Sequence, residues 1–232
     1  TLFHQYQSII NKPGLQSFGF GTKIDVVYTF EDLYKNFSID FFAFLKTFGQ
    51  TELRYTADYD AVKTFLNIRY TNLPTHEFSI SGSPSESLNF RLNLVAGKDL
   101  SVNETTPEVG VLRSAFLTFG IQVNDNININ PSWRYSRLSR INDNSDYFNG
   151  SIARLSVRYQ FNQAFNIRII TEKNSFNDQF FVQPLIQWNP NPATIFYFGG
   201  NQNTLKNLED AHFQILQFNR SQLFVKFQYL ID

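Results

Sequence analysis

The sequence predicts an all-β protein: an antiparallel up-and-down β-barrel that crosses a membrane with about fourteen strands. Three observations predict it. Apolar and polar residues alternate with period 2 along most of the chain, and no long window shows the 3.6-residue period of an amphipathic helix. The connections between alternating segments switch between short and long. The charged residues of the strands fall almost entirely on one parity.

The alternation is clearest from Phe18 to Phe30, where Phe18, Phe20, Thr22, Ile24, Val26, Tyr28 and Phe30 interleave with Gly19, Gly21, Lys23, Asp25 and Thr29. Successive strand residues point to opposite faces, so this segment has an apolar and a polar side. Leu155, Val157, Tyr159 and Phe161 repeat the pattern, as do Leu223, Val225, Phe227, Tyr229 and Ile231. Applied along the chain, the rule gives strands over 1–10, 16–30, 37–47, 51–58, 62–72, 76–82, 88–96, 113–123, 127–135, 151–161, 165–172, 180–188, 194–199 and 222–231. Pro131 and Pro184 fall inside two of these. Proline has no N–H to give a ladder, so each is expected at a bulge or strand end. No linker or sequence repeat divides residues 1–232, which read as one barrel domain.

Asn124-Asp125-Asn126, Asn162-Gln163-Ala164 and Asn189-Pro190-Asn191-Pro192 are tight turns, because Asn, Asp and Pro tolerate or pre-set turn dihedrals. Longer polar loops are expected at 97–112, 136–150 and 200–221. Short turns at one end and long loops at the other are the mark of an outer-membrane barrel.

The charges carry the most weight. Lys23, Asp25, Asp40, Lys46, Arg54, Arg69, Arg91, Arg134, Arg158, Arg168 and Lys226 all alternate with large apolar residues and are expected to face a lumen. Arg113 is the one doubtful case. An Arg or Lys facing lipid at mid-depth costs about 2–4 kcal/mol, so a lipid-facing surface would enforce such segregation. Tyr28, Phe30 and Phe37, then Tyr159, Phe161 and Phe165, then Trp188, Phe196 and Tyr229, are placed beside the turns, where an interfacial aromatic girdle would sit. A soluble β-sandwich alternates too, with its apolar face turned into a core. The apolar face here is dominated by Phe and Tyr, and both signs of charge decorate the other. Both features favour the barrel.

Composition narrows the function. The chain of 232 residues has 26 Phe, 11 Tyr and 2 Trp, with no Cys and no Met. Without Cys there are no disulfides, thiol nucleophiles or thiolate zinc sites. A formal net charge of zero argues against a nucleic-acid partner. No segment approaches the length of an apolar membrane helix. The chain begins at Thr1 and is expected to be a mature form or the distal piece of something longer.

Two late segments carry a family resemblance. Phe180-Phe181-Val182-Gln183-Pro184-Leu185-Ile186-Gln187-Trp188-Asn189-Pro190-Asn191-Pro192 is followed by Thr194-Ile195-Phe196-Tyr197-Phe198-Gly199, and the chain closes with Ser221-Gln222-Leu223-Phe224-Val225-Lys226-Phe227-Gln228-Tyr229-Leu230. Over roughly 150–232 this resembles the C-terminal end of the DUF5916 family of Bacteroidota and related Gram-negative bacteria. The resemblance implies an outer-membrane barrel of which this chain is the distal part, preceded by a carbohydrate-binding-type domain not visible here. It implies Pro184 as part of the family pattern, and lipid, lipopolysaccharide and other outer-membrane chains as partners.

Candidate chemistry is sparse. His4, His76 and His212 form no metal-binding pair, and neither a P-loop nor a G-x-S-x-G occurs. Phe18-Gly19-Phe20-Gly21 reads as close packing within a strand rather than a phosphate loop. Asp58 and Asp60 are placed at a tight turn. Four Asn-x-Ser/Thr sequons, beginning at Asn36, Asn103, Asn149 and Asn219, are expected to be incidental in a bacterial protein. Neither a catalytic site nor a cofactor is expected. The inward cations could form an anion-selective wall, or pair with Asp25, Asp40, Glu52, Glu77 and Glu172, and the mixed signs favour pairing. The expected role is a membrane anchor, docking component or channel. The alternatives are a soluble sugar-binding sandwich and a barrel-embedded hydrolase using His212.

Overall fold

The computed structural model describes residues 1–28, 35–102, 104–206 and 216–230, and all of their regular structure is β-strand. Thirteen strands form one sheet: β1 (Leu2–Lys12), β2 (Leu15–Val27), β3 (Asn36–Thr47), β4 (Glu52–Phe65), β5 (Ile68–Ser85), β6 (Leu88–Leu100), β7 (Val109–Gln122), β8 (Ile127–Arg140), β9 (Asp146–Gln160), β10 (Phe165–Asn174), β11 (Gln179–Asn191), β12 (Thr194–Lys206) and β13 (Leu216–Tyr229). Each pairs with its sequence neighbours in an antiparallel up-and-down order. β1 and β13 are the two edges of the sheet, which is not closed.

The strand number corrects the expectation of fourteen. The segments 51–58, 62–72 and 76–82 are two long strands, β4 and β5, joined by a hairpin at Leu66-Asn67 where both residues have positive φ. Asp58 and Asp60 consequently lie in the interior of β4 and not at a turn. Strands also extend into the expected loops, which shrink to 101–108 and 141–145. Of the third, 207–215 lies outside the described residues.

Connections at 13–14, 48–51, 86–87, 123–126, 161–164 and 192–193 are short. Those alternating with them include the longer 28–35, 101–108 and 141–145, with 66–67 and 175–178 as tight exceptions. Asn builds several of the turns. Asn124 Oδ1 accepts the amides of Asn126 and Ile127 at 2.9 Å, and Asn162 Oδ1 accepts those of Ala164 and Phe165 at 2.9 Å. Such Asx turns satisfy amides that no strand partner reaches. Pro184 marks neither a bulge nor a strand end. It pairs with Ile169, while the ladder to β12 lapses between Val182↔Gln202 and Leu185↔Gly199 without a register shift.

Contacts divide the chain into two units, residues 1–85, 90–117 and 135–149, and residues 86–89, 118–134 and 150–232. In the first, Tyr70, Leu73 and Leu100 are buried together, with Phe65 and Val109 packed on them. Tyr70 and Leu73 have opposite parity, so the alternation breaks between them. Asn72 has a φ of 62°, and its partner position Ala61 is where β4 bulges against β3. Tyr70 Oη donates to the carbonyl of Pro107 at 2.7 Å, tying the 101–108 connection over this cluster. In the second unit, Ile170 is buried between Arg168 and Glu172 on one face of β10.

Candidate functional surface

In the first unit, strand register gathers the charges on one face. Lys23 lies opposite Asp40, and Asp40 opposite Asp58, across β2, β3 and β4. Lys23 Nζ pairs with Asp25 and stands 3.9 Å from Asp40. Glu52 takes Arg54 at 3.0 Å and Lys46 at 3.7 Å. Lys63 bridges Asp60 at 3.5 Å and Asp99 at 3.6 Å. Glu77 accepts from Asn93, which places Arg91 on the same parity of β6. The cations of this face are therefore largely matched by carboxylates rather than forming a basic wall.

The same face holds aromatics that alternation alone does not reveal. Phe42 and Phe44 share parity with Asp40 and Lys46, and they are buried over Gly21 and Gly19. A Cβ on either glycine would meet the facing ring at 2.5 Å. The Arg54 guanidinium sits 5.3 Å and 5.1 Å from the centroids of these two rings. Gly19 and Gly21 thus serve close packing, as their place in a strand suggested.

Arg69 departs from its expected face. Lys63 and Tyr70 are cross-strand partners, and Tyr70 is buried with Leu73, so the neighbouring Arg69 points the other way. The parity break at Ala61 and Asn72 is the cause. Lys98, Arg113, Arg137 and Lys173 also share parity with apolar neighbours, each near the end of its strand beside the 101–108, 141–145 or 175–178 connection. Arg137 is held there by Asp146 at 2.6 Å.

In the second unit, Arg154 opposes Glu172 across β9 and β10, with 3.5 Å between them. Four residues along the same strand pair, Arg158 opposes Arg168. Lys226 lies over the Tyr197 ring at 5.8 Å. Arg134 alternates with Trp133 and Tyr135 on β8 and shares parity with Asn128 and Asn130. A polar cleft of about 320 Å³ is lined by Gln122, Asn128, Asn130, Ser156, Arg158 and Gln160, among others.

The opposite face of this unit carries one aromatic row. Phe165, Trp188, Phe196 and Phe227 are successive cross-strand partners on β10 to β13. Trp188 stacks on Phe196 at 5.2 Å, and Phe196 meets Phe227 at 5.0 Å. Tyr159, Phe161 and Phe165 continue the row at 4.3 and 5.2 Å, and Tyr229 lies opposite Thr194 beside the β11–β12 turn. Tyr28 and Phe37 flank the long 28–35 connection, so they do not belong with the residues at the short turns, and Phe30 lies outside the described residues.

His76 Nδ1 is 2.7 Å from Tyr55 Oη, His4 lies on β1 opposite Thr22, and His212 is outside the described residues. No group of metal-binding side chains occurs among the described residues. No family model matches the chain, and neither does any curated protein or solved structure.

Proposed function

We propose that this chain forms wall strands of an outer-membrane β-barrel in a Gram-negative cell envelope, and serves as a membrane anchor or docking component, or as a channel. One observation carries the proposal: the burial of the two faces is the reverse of a soluble protein's. Phe42, Phe44 and Leu73 in the first unit and Ile170 in the second are buried apolar side chains on the charged face of their own unit. The aromatic face is bare: Phe20, Phe41, Trp133, Trp188, Phe198 and Phe227 are each more than two-fifths exposed. A sandwich interior would bury that face against a second sheet. An apolar surface of this extent calls for a partner, and acyl chains suit one lined with Phe, Tyr and Trp.

The ion pairs of the first unit favour an anchoring wall over a strongly anion-selective pore there, since paired side chains leave little net field. The resemblance to the DUF5916 family agrees with this location and would make the chain the distal part of a longer barrel. Lipid and lipopolysaccharide are then its first partners.

The only two tryptophans, Trp133 and Trp188, both lie on the aromatic face. The protein reconstituted into vesicles of brominated phosphatidylcholine should lose most of its tryptophan fluorescence relative to unbrominated vesicles. Unchanged emission from both, with a monodisperse chain in water without detergent, would overturn the proposal.

A further inference from the structure

We propose that the charged face of the second unit binds a small carboxylate-bearing, hydroxylated solute, of the sugar-acid type, between Arg158 and Arg168 and the amide-lined cleft beside them. Arg158 and Arg168 are directly opposed on β9 and β10. Side chains so placed have Cβ atoms about 5 Å apart, and like charges there repel. The same two strands show the ordinary solution four residues along, where Arg154 faces Glu172. At Arg158 and Arg168 no carboxylate lies within ion-pair distance among the described residues, and the buried Nε of Arg168 has no hydrogen-bond partner. A carboxylate set between the two guanidinium groups would relieve the repulsion. Guanidinium donors match a carboxylate in geometry as well as charge.

The cleft specifies the rest of the ligand. Besides Arg158, its lining includes Gln122, Asn128, Asn130, Ser156 and Gln160, with the carboxylate of Asp125 contributed by the β7–β8 turn, so the ligand's own carboxylate belongs at the arginine end. The β8–β9 ladder, fixed by Gln160 N donating to Asn126 O at 2.8 Å, brings Asn128 alongside Arg158. Asn130 Nδ2 donates to Asn128 Oδ1, leaving the amide hydrogens of Asn128 and the carbonyl oxygen of Asn130 for a ligand. A side-chain amide offers a donor and an acceptor together, which complements neighbouring hydroxyls. A cavity of about 320 Å³ admits a body of one or two sugar rings. None of these features depends on what covers the aromatic face, so the lipid-quenching experiment and the one below can fail separately.

The test is calorimetric titration of the full chain, in the detergent that keeps it dispersed, with glucuronate, glucose and inorganic phosphate. Glucuronate should bind at least tenfold more tightly than either of the others. Arg158→Gln and Arg168→Gln should each weaken glucuronate at least tenfold, and Arg168→Lys should restore part of the loss. Arg91→Gln, which removes one cation from the other unit, should change nothing. Equal affinity for glucose, equal affinity for phosphate, or equal weakening by Arg91→Gln would each overturn the proposal. If Arg168→Gln does not fold, Asn128→Ala decides: it should weaken glucuronate and leave phosphate unchanged, and undiminished glucuronate affinity would overturn the proposal.

Discussion

Phe44 occupies the space that a side chain at position 19 would need. A Cβ on Gly19 would stand 2.5 Å from Phe44 Cζ and 2.6 Å from the Tyr6 carbonyl oxygen. Gly19→Ala should therefore destabilise the sheet by about 1–3 kcal/mol, the usual cost of overpacking. Removing the ring as well, in Gly19→Ala/Phe44→Ala, should recover little, because the Tyr6 carbonyl is backbone and cannot swing aside. Urea unfolding of detergent-dispersed protein reads the loss. An unshifted midpoint for Gly19→Ala would mean that neither the ring nor the Tyr6 carbonyl lies over the glycine.

That contact shows where sequence reasoning reached its limit. Period-2 alternation made most strands legible, because a single slip would exchange their faces. Phe42 and Phe44 escaped it, since an aromatic on each parity of β3 cancels the contrast on which alternation depends. Arg69 was misplaced because nothing in the residues announces the positive φ of Asn72 that reverses β5. The Arg158–Arg168 opposition needs cross-strand register, which lies in no one-strand pattern. The turns were legible where Asn supplies its own side-chain acceptor, as at Asn124 and Asn162.

The 101–108 connection is tied down by side-chain hydroxyls: Tyr147 Oη donates to the Glu108 carboxylate, and Tyr70 reaches the backbone. Tyr70 Oη donates to Pro107 O from within the cluster formed with Leu73 and Leu100. Tyr70→Phe keeps the ring and loses that bond, for a net cost of about 0.5–1.5 kcal/mol. Amide exchange at Ser101, whose N–H donates to Glu108 O at 2.9 Å, should quicken roughly tenfold while β1 to β4 exchange as before. Unchanged exchange at Ser101 would show that the Tyr70 bond does not hold the connection, leaving that role to packing and to the Tyr147–Glu108 bond.

Neighbouring positions on β3 separate a membrane-facing sheet from a solvated one. Ile39 lies between Ile24 and Tyr59 on the aromatic face, and Ser38 lies between Asp25 and Asp60 on the charged face. Ile39→Lys should cost about 2–4 kcal/mol in lipid. Ser38→Lys should cost under about 1 kcal/mol, because it gains two carboxylate neighbours across the strands. Reversible urea unfolding in lipid vesicles measures both. Equal costs would remove the distinction between the faces.

The 141–145 connection should respond to pH through Asp143. Its carboxylate accepts from Ser145 Oγ at 2.7 Å and from Ser145 N at 3.0 Å. The Ser145 hydroxyl bond first, then the amide bond, holds Asp143 below the usual carboxylate range. A depressed carboxylate contributes order that is fully present above its unfolded value, near pH 4, and is lost as pH falls through the lower folded value. Once corrected for intrinsic exchange, protection of the Ser145 amide should hold from pH 7 down to about 4 and decline below that. Asp143→Asn keeps an oxygen for the Ser145 amide but removes the titrating group. Its protection should be weaker at neutral pH and flat through the acid range. An acid decline as steep in Asp143→Asn as in the parent chain would assign the pH response to some other group, with Asp146 at its pairing with Arg137 the next to replace.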